Sequence, residues 1–240
     1  MLLTDLLCRT VYIITSLYTL TLFMQIKFSC RPADRIFPYT YPVEIGRAVY
    51  RRCPELQDHD SISTHSVSRL WGQATATKRG LVFESAMSLY VGMSDPTPLI
   101  ESLTQDPEII EGLVVESAQN VMPQPGGLMR SVSPILLRRD GEHHTYQNEK
   151  ANQFLTDSFR AKTEALLPGT DTSDFTAEFA PDGTESTSVV DVCGNRFLCS
   201  SCPVQVNAPA VAQELVMTTG LGGLTAMGLG ALTPQQTTKE

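Results

Sequence analysis

The chain lacks the short signatures by which many enzymes announce themselves. No G-x-S-x-G, no G-x-x-x-x-G-K-[ST], no G-x-G-x-x-G after a strand-like run and no H-E-x-x-H occurs. These absences remove the nucleophile-elbow hydrolases, the P-loop nucleotide binders, the dinucleotide folds and the zincins. Arg79-Gly80 and Gly126-Gly127 lack the Lys or the helix start that would make them phosphate loops. Cysteine is sparse too: six residues (Cys8, Cys30, Cys53, Cys193, Cys199 and Cys202) in 240 fall below the density of a disulfide scaffold.

Positive charge is the next scarcity. Lys and Arg number 18 against 26 acids, a net charge of -8, and the imbalance is uneven. Residues 1–79 carry ten basic side chains against six acids, while 81–240 carry eight against twenty. Duplex binding rests on clustered Lys and Arg, and no basic stripe interleaved with aromatics is present, so no nucleic-acid partner is expected.

One stretch lacks charge altogether. Residues 10–26 are uncharged, with Val11, Ile13, Ile14, Leu17, Leu20, Leu22, Phe23 and Ile26 among the apolar members. A helix of this length, at ~1.5 Å per residue, approaches the ~30 Å hydrocarbon core of a bilayer. The preferred expectation is a retained membrane anchor. A cleaved secretory signal and a buried helix are the alternatives, the run into Gln25-Ile26-Lys27-Phe28-Ser29-Cys30 being a poor cleavage site. Lys27, Arg31, Arg35, Arg47, Arg51 and Arg52 follow the run, which by the positive-inside rule places the main body on the cytoplasmic or matrix side.

What is present beyond residue 30 reads as mainly α-helical. Residues 30–65 form a Pro-rich basic collar, with Pro32, Pro38, Pro42 and Pro54 as breakers. Residues 66–167 form the expected helical domain. Val67, Leu70, Trp71 and Ala74, then Val82, Phe83, Ala86, Met87 and Tyr90, fall at helical spacing. Asp95-Pro96 and Asp106-Pro107 each read as a cap followed by a first-turn proline, and a further helix is expected from Ala151 to Leu166. Residues 168–186 are acidic and read as a flexible linker.

The C-terminal part holds two unusual patterns. In residues 187–206, Gly194-Asn195 reads as a hairpin turn that sets Cys193 opposite Cys199. Cys199 and Cys202 have C-x-x-C spacing, so Cys193, Cys199 and Cys202 are candidate zinc ligands or redox thiols, one ligand short of a closed zinc site. Asp58-His59-Asp60 with His65 and the pair His143-His144 are weaker candidates, read as exposed loops. The Gly-rich tail, residues 207–240, repeats Thr218, Gly222, Ala226 and Gly230 at every fourth position. A flexible tail is the preferred reading; in a helix those small residues share one face, a candidate second membrane segment or homo-oligomer contact through Gly222, Ala226 and Gly230.

The expectation is therefore a membrane-tethered, non-catalytic interaction or assembly module with an unknown protein partner. Its N-terminal segment spans residues 1–29, and no cofactor is required. The rival is a thiol-redox or zinc protein centred on Cys193, Cys199 and Cys202.

Overall fold

The computed structural model describes residues 23–32, 35–57, 62–124 and 126–235. Along the chain run β1 (Met24–Pro32), α1 (Tyr41–Arg52), β2 (Ser66–Val67), β3 (Ala74–Thr77), β4 (Gly80–Phe83), β5 (Met87–Met93), α2 (Thr97–Gln105), β6 (Glu108–Ile110) and β7 (Leu113–Val121). The second half continues with β8 (Leu128–Ser131), β9 (Leu137–Arg139), β10 (Glu142–His144), α3 (Ala151–Leu166), β11 (Thr176–Phe179), β12 (Ser186–Val192), β13 (Asn195–Ser201), β14 (Val204–Asn207), α4 (Ala210–Thr219) and β15 (Leu232–Pro234). Among the described residues fifteen strands accompany four α-helices, so the mainly helical expectation is overturned: the fold is α/β with antiparallel sheets.

The first layer is a five-stranded sheet ordered β2-β5-β1-β7-β6. Its two central strands follow the period of two that a half-buried strand requires. In β1, Ile26, Phe28 and Cys30 are buried while Lys27 and Ser29 are half-buried and Arg31 exposed. In β5, Met87, Leu89, Val91 and Met93 point inward and alternate with Ser88 and Tyr90. Helices α1 and α2 contribute Ile45, Val49, Leu99 and Leu103 to the same core. The second layer repeats the scheme with the sheet β11-β14-β8-β15. Leu155 and Phe159 of α3 and Ala212 and Val216 of α4 pack there with Met129, Ala177, Val204 and Val206.

The layers are joined by polar contacts. The buried Gln25 amide donates to the carbonyl oxygens of Met217 (2.9 Å) and Leu232 (2.6 Å). Ser66 donates its hydroxyl to the Thr218 carbonyl at 2.8 Å. Both contacts fasten the end of α4 to the first sheet.

Several expectations change on this frame. The described end of the apolar run is β1, the middle strand of a sheet, and among the described residues no helix is long and apolar enough to cross a membrane. That overturns the anchor in its described part; residues 1–22 lie outside the described residues. The helices expected around 67–74 and 82–90 are β2 to β5, and the one expected after Asp106-Pro107 is the β6–β7 pair. Stable pairing with distant strands outweighed the local spacing. The helix after Asp95-Pro96 is α2, where Asp95 accepts a hydrogen bond from the Thr97 amide at 2.9 Å, and residues 151–166 form α3. The stretch 168–186 contains β11, whose Ala177 and Phe179 are buried.

Candidate nucleic-acid interface

The glycine-rich stretch that follows α4 is neither a helix nor a loose tail. It is a loop over residues 220–230, pinned at several points. Lys162 of α3, itself buried, donates hydrogen bonds of 3.0 Å to the carbonyls of Thr219 and Gly220, which the end of α4 leaves without helical partners. Burial pushes the Lys162 pKa down to about 7. The Leu221 amide donates to the Gly230 carbonyl (2.9 Å) and closes the neck of the loop, while the Gly223 amide donates to the Leu136 carbonyl (3.0 Å). Gly222 has φ 76, and a Cβ there would sit 2.3 Å from the Leu136 oxygen. Only glycine meets both demands. Across the loop, Gly46 of α1 approaches so closely that a Cβ would lie 2.4 Å from the Ala226 oxygen.

Gly222, Ala226 and Gly230 therefore share no helical face. Ala226 and Gly230 are buried within the chain, and the oligomer contact expected of the three is overturned.

Two adjoining grooves flank the loop and share the wall Ser158, Ala161, Gly222, Gly223 and Leu224. One, of about 420 Å³, is lined by Tyr50, Ser63, Lys162 and Thr225. The other, of about 440 Å³, is lined by Arg138, Arg139, Phe154, Asp157 and Phe197. Burial raises the Tyr50 pKa, so its phenol stays protonated at neutral pH and can donate. Tyr50 meets the buried His65 ring edge to face, with centroids 5.1 Å apart, and the Thr225 hydroxyl donates to the His65 carbonyl at 3.1 Å. Arg139 lies over the Phe154 ring (5.4 Å) and pairs with Asp157 at 3.7 Å. The result is a pair of glycine-floored grooves of mixed lining, one walled by the Tyr50 phenol over the buried Lys162 and the other carrying two exposed guanidinium groups. An extended anion with flat bases fits such a lining.

The thiols lie elsewhere. The β12–β13 hairpin turns at Cys193-Gly194, one residue earlier than expected, so Cys193 sits exposed in the turn with φ 52 and faces Arg47 of α1 at 3.9 Å. The residue opposite Cys199 is Ser188. Cys199 and Cys202 are buried, and burial pushes both thiols up to about 11. All five described cysteines are free, and among the described residues no group of three or more His, Cys, Asp or Glu is placed to hold a metal. His143 and His144 belong to β10 and pack on Phe197 and Phe154. Asp58, His59 and Asp60 lie outside the described residues.

Sequence reasoning missed Tyr50, Lys162, Arg138 and Arg139 as site residues. The available signal was the glycine spacing of residues 220–230, too dense for a helix in water.

The described fold is that of the Cas6 and RAMP proteins, a ferredoxin-like α/β arrangement with a curled five-stranded antiparallel sheet. It resembles the solved structure titled "CRISPR associated protein Cas6" with a TM-score of 0.71 at 17% identity, covering 89% of this chain and 100% of that one. "An RAMP protein binding different RNA substrates" gives 0.72 at 17% identity over 89% of this chain and 100% of that one. A Cas6-related protein from Pyrococcus furiosus gives 0.72 at 15% identity over 91% and 100%. In sequence, residues 119–234 match the family model described as "CRISPR associated protein Cas6, C-terminal", a span that includes the whole glycine-rich loop. No curated protein matches the chain.

These findings correct the functional expectations. A match to a CRISPR-associated family overturns the membrane-tethered, non-catalytic module, and with it the membrane as partner and location. It also overturns the exclusion of nucleic acid, which rested on the acidic main body and the lack of a basic stripe in the sequence. The acids dominate the count over 81–240, yet the exposed Arg138 and Arg139 stand together beside the loop.

Proposed function

We propose that this protein is a Cas6-like endoribonuclease that binds precursor CRISPR RNA and cuts it, with the scissile phosphate seated along the glycine-rich loop. The observation that carries the reading is the family match over residues 119–234, because the matched span contributes the floor of both grooves. The groove chemistry supports it. RNA carries its own nucleophile: the 2′-hydroxyl oxygen attacks the adjacent phosphorus, the P–O5′ bond breaks, and a 2′,3′-cyclic phosphate and a 5′-hydroxyl result. The proton leaving O2′ must be accepted and one must be delivered to O5′, while negative charge grows on the phosphoryl oxygens. Tyr50, held protonated, is a donor on the groove wall, and Arg138 and Arg139 supply positive charge along it.

The test is incubation of the full chain with a transcript of the CRISPR repeat from the same genome. We expect a cut at one fixed position and a cyclic phosphate on the upstream product. A single 2′-deoxy substitution at that position should block it. Tyr50→Phe should slow the cut on the order of 10²-fold with RNA affinity kept. Repeat RNA that is bound and stays intact overturns the reading.

A further inference from the structure

A second cavity, of about 500 Å³, shares no lining residue with the loop grooves and opens beside the side chain of Trp71. Its back wall holds Arg69. The Nε atom of that guanidinium is buried without a hydrogen-bond partner, and none of the four ion pairs among the described residues includes it. Burial lowers the Arg69 pKa, opposed only by the neighbouring Tyr41 and Cys199. Arg69 is half-buried, and its Nε–H, shut away from water and unmet, is costly unless an acceptor arrives to pair with it.

The mouth of the cavity suits a different chemistry. Trp71 is 45% exposed, and the Arg130 guanidinium lies 5.4 Å from its ring centroid. The segment is held rigidly: Trp71 and Ser88 exchange two backbone hydrogen bonds of 2.8 Å, and the Arg69 amide donates to the Ser133 hydroxyl at 2.8 Å. A rigid, half-exposed indole is a stacking platform that loses little freedom on binding. The one rim carboxylate, Asp182, is already engaged by the Thr184 amide and hydroxyl. Beyond Trp71 a neighbouring groove of about 580 Å³ continues past Lys27, Tyr90 and Gln119, and it shares Trp71, Arg130 and Val132 with the cavity.

We infer that this cavity is a nucleotide subsite for single-stranded RNA, with one base stacked on Trp71 and its phosphate held between Arg69 and Arg130. The inference rests on the RNA-processing reading for its biological ligand, though its geometry is independent of the loop. The subsite would grip substrate at a distance from the cut and so govern affinity rather than the rate of the chemical step.

Trp71 is the sole tryptophan of the chain, so intrinsic fluorescence reports on this site alone. The full chain is titrated with a uridine decamer, and binding is followed in parallel by anisotropy of an end-labelled copy. We expect quenching of Trp71 emission along the same curve as the anisotropy. Arg69→Gln and the exposed Arg130→Ala should each weaken decamer binding about tenfold, and Trp71→Ala by at least as much. Decamer binding with silent tryptophan emission and unchanged affinity in Arg130→Ala and Trp71→Ala overturns the subsite. Repeat RNA that is cut while Trp71 stays silent removes the subsite and leaves the endonuclease. Quenching that depends on Arg69 and Arg130, with repeat RNA left intact, removes the endonuclease and keeps the subsite. Absence of both cleavage and decamer binding overturns both.

Discussion

The Lys162 ammonium donates a 3.0 Å hydrogen bond to the Gly220 carbonyl and so ties helix α3 to the first residue of the glycine-rich loop. A second bond of equal length runs to Thr219. The contact joins a titratable group to the element that floors the candidate site.

Its protonation should be visible in stability. The Lys162 pKa is about 7 in the folded chain against an ordinary value of 10.5, so the folded state holds fewer protons than the unfolded state across that window. The cost of burying the charge is fully present below about pH 7 and disappears above 10.5, and stability rises with pH between them. Against Lys162→Met, which has no such cost, the wild type should gain on the order of 3 kcal/mol between pH 7 and pH 9.5. Urea unfolding at the two pH values measures the difference. Parallel pH curves for the two proteins would show that the ammonium is not buried.

The loop backbone makes a second expectation. Gly222→Ala places a Cβ against the Leu136 oxygen at a positive φ, whereas a Cβ on the neighbouring Gly223 meets only the Leu136 side chain at 3.6 Å. Gly222→Ala should cost at least ~2 kcal/mol and lower Tm by about 4–8 °C, with Gly223→Ala close to wild type. Thermal melts of the pair provide the check, and equal melting temperatures would mean that the loop is not held as described.

How much of this was legible in the sequence depends on the range of the interactions. Helices α2 and α3 were readable because caps, prolines and apolar spacing act within a few residues, as at Asp95 and Thr97. Strand β5 was misread because Val82, Phe83, Ala86, Met87 and Tyr90 fit a helical period by coincidence. The stricter alternation of Met87, Leu89, Val91 and Met93 was the better guide. Strand β1 was misread for a related reason: its apolar neighbours upstream hid the alternation of Ile26, Phe28 and Cys30 with Lys27, Ser29 and Arg31. The site was less legible still. Tyr50, Arg138, Lys162 and Gly222 are brought together by pairings across the whole chain, and a net charge cannot show where the positive side chains converge. The spacing of Gly222, Ala226 and Gly230 stands out in the sequence, but its meaning turns on backbone angles that composition does not reveal.

The cysteines offer a third test. Cys193 is exposed at the hairpin turn, while Cys30, Cys53, Cys199 and Cys202 are buried with their thiols pushed up to between about 11 and about 12. In a Cys8→Ser background, a soluble thiol reagent at pH 8 should label one cysteine rapidly in the folded chain and the other four only on unfolding. Rapid labelling of Cys199 or Cys202 would contradict their placement in the core.

The Gln25 amide bears on how the chain is made. One of its two acceptors, Leu232, lies 207 residues further along, and the other, Met217, lies 192. At about 5–20 residues per second a ribosome needs roughly 10–40 s to supply them. During that interval β1 has its neighbours β5 and β7 but no partner for a polar group destined for the interior. The first layer thus completes its core only when synthesis of the second is almost finished, and until then its seam is open to chaperones and to other nascent chains.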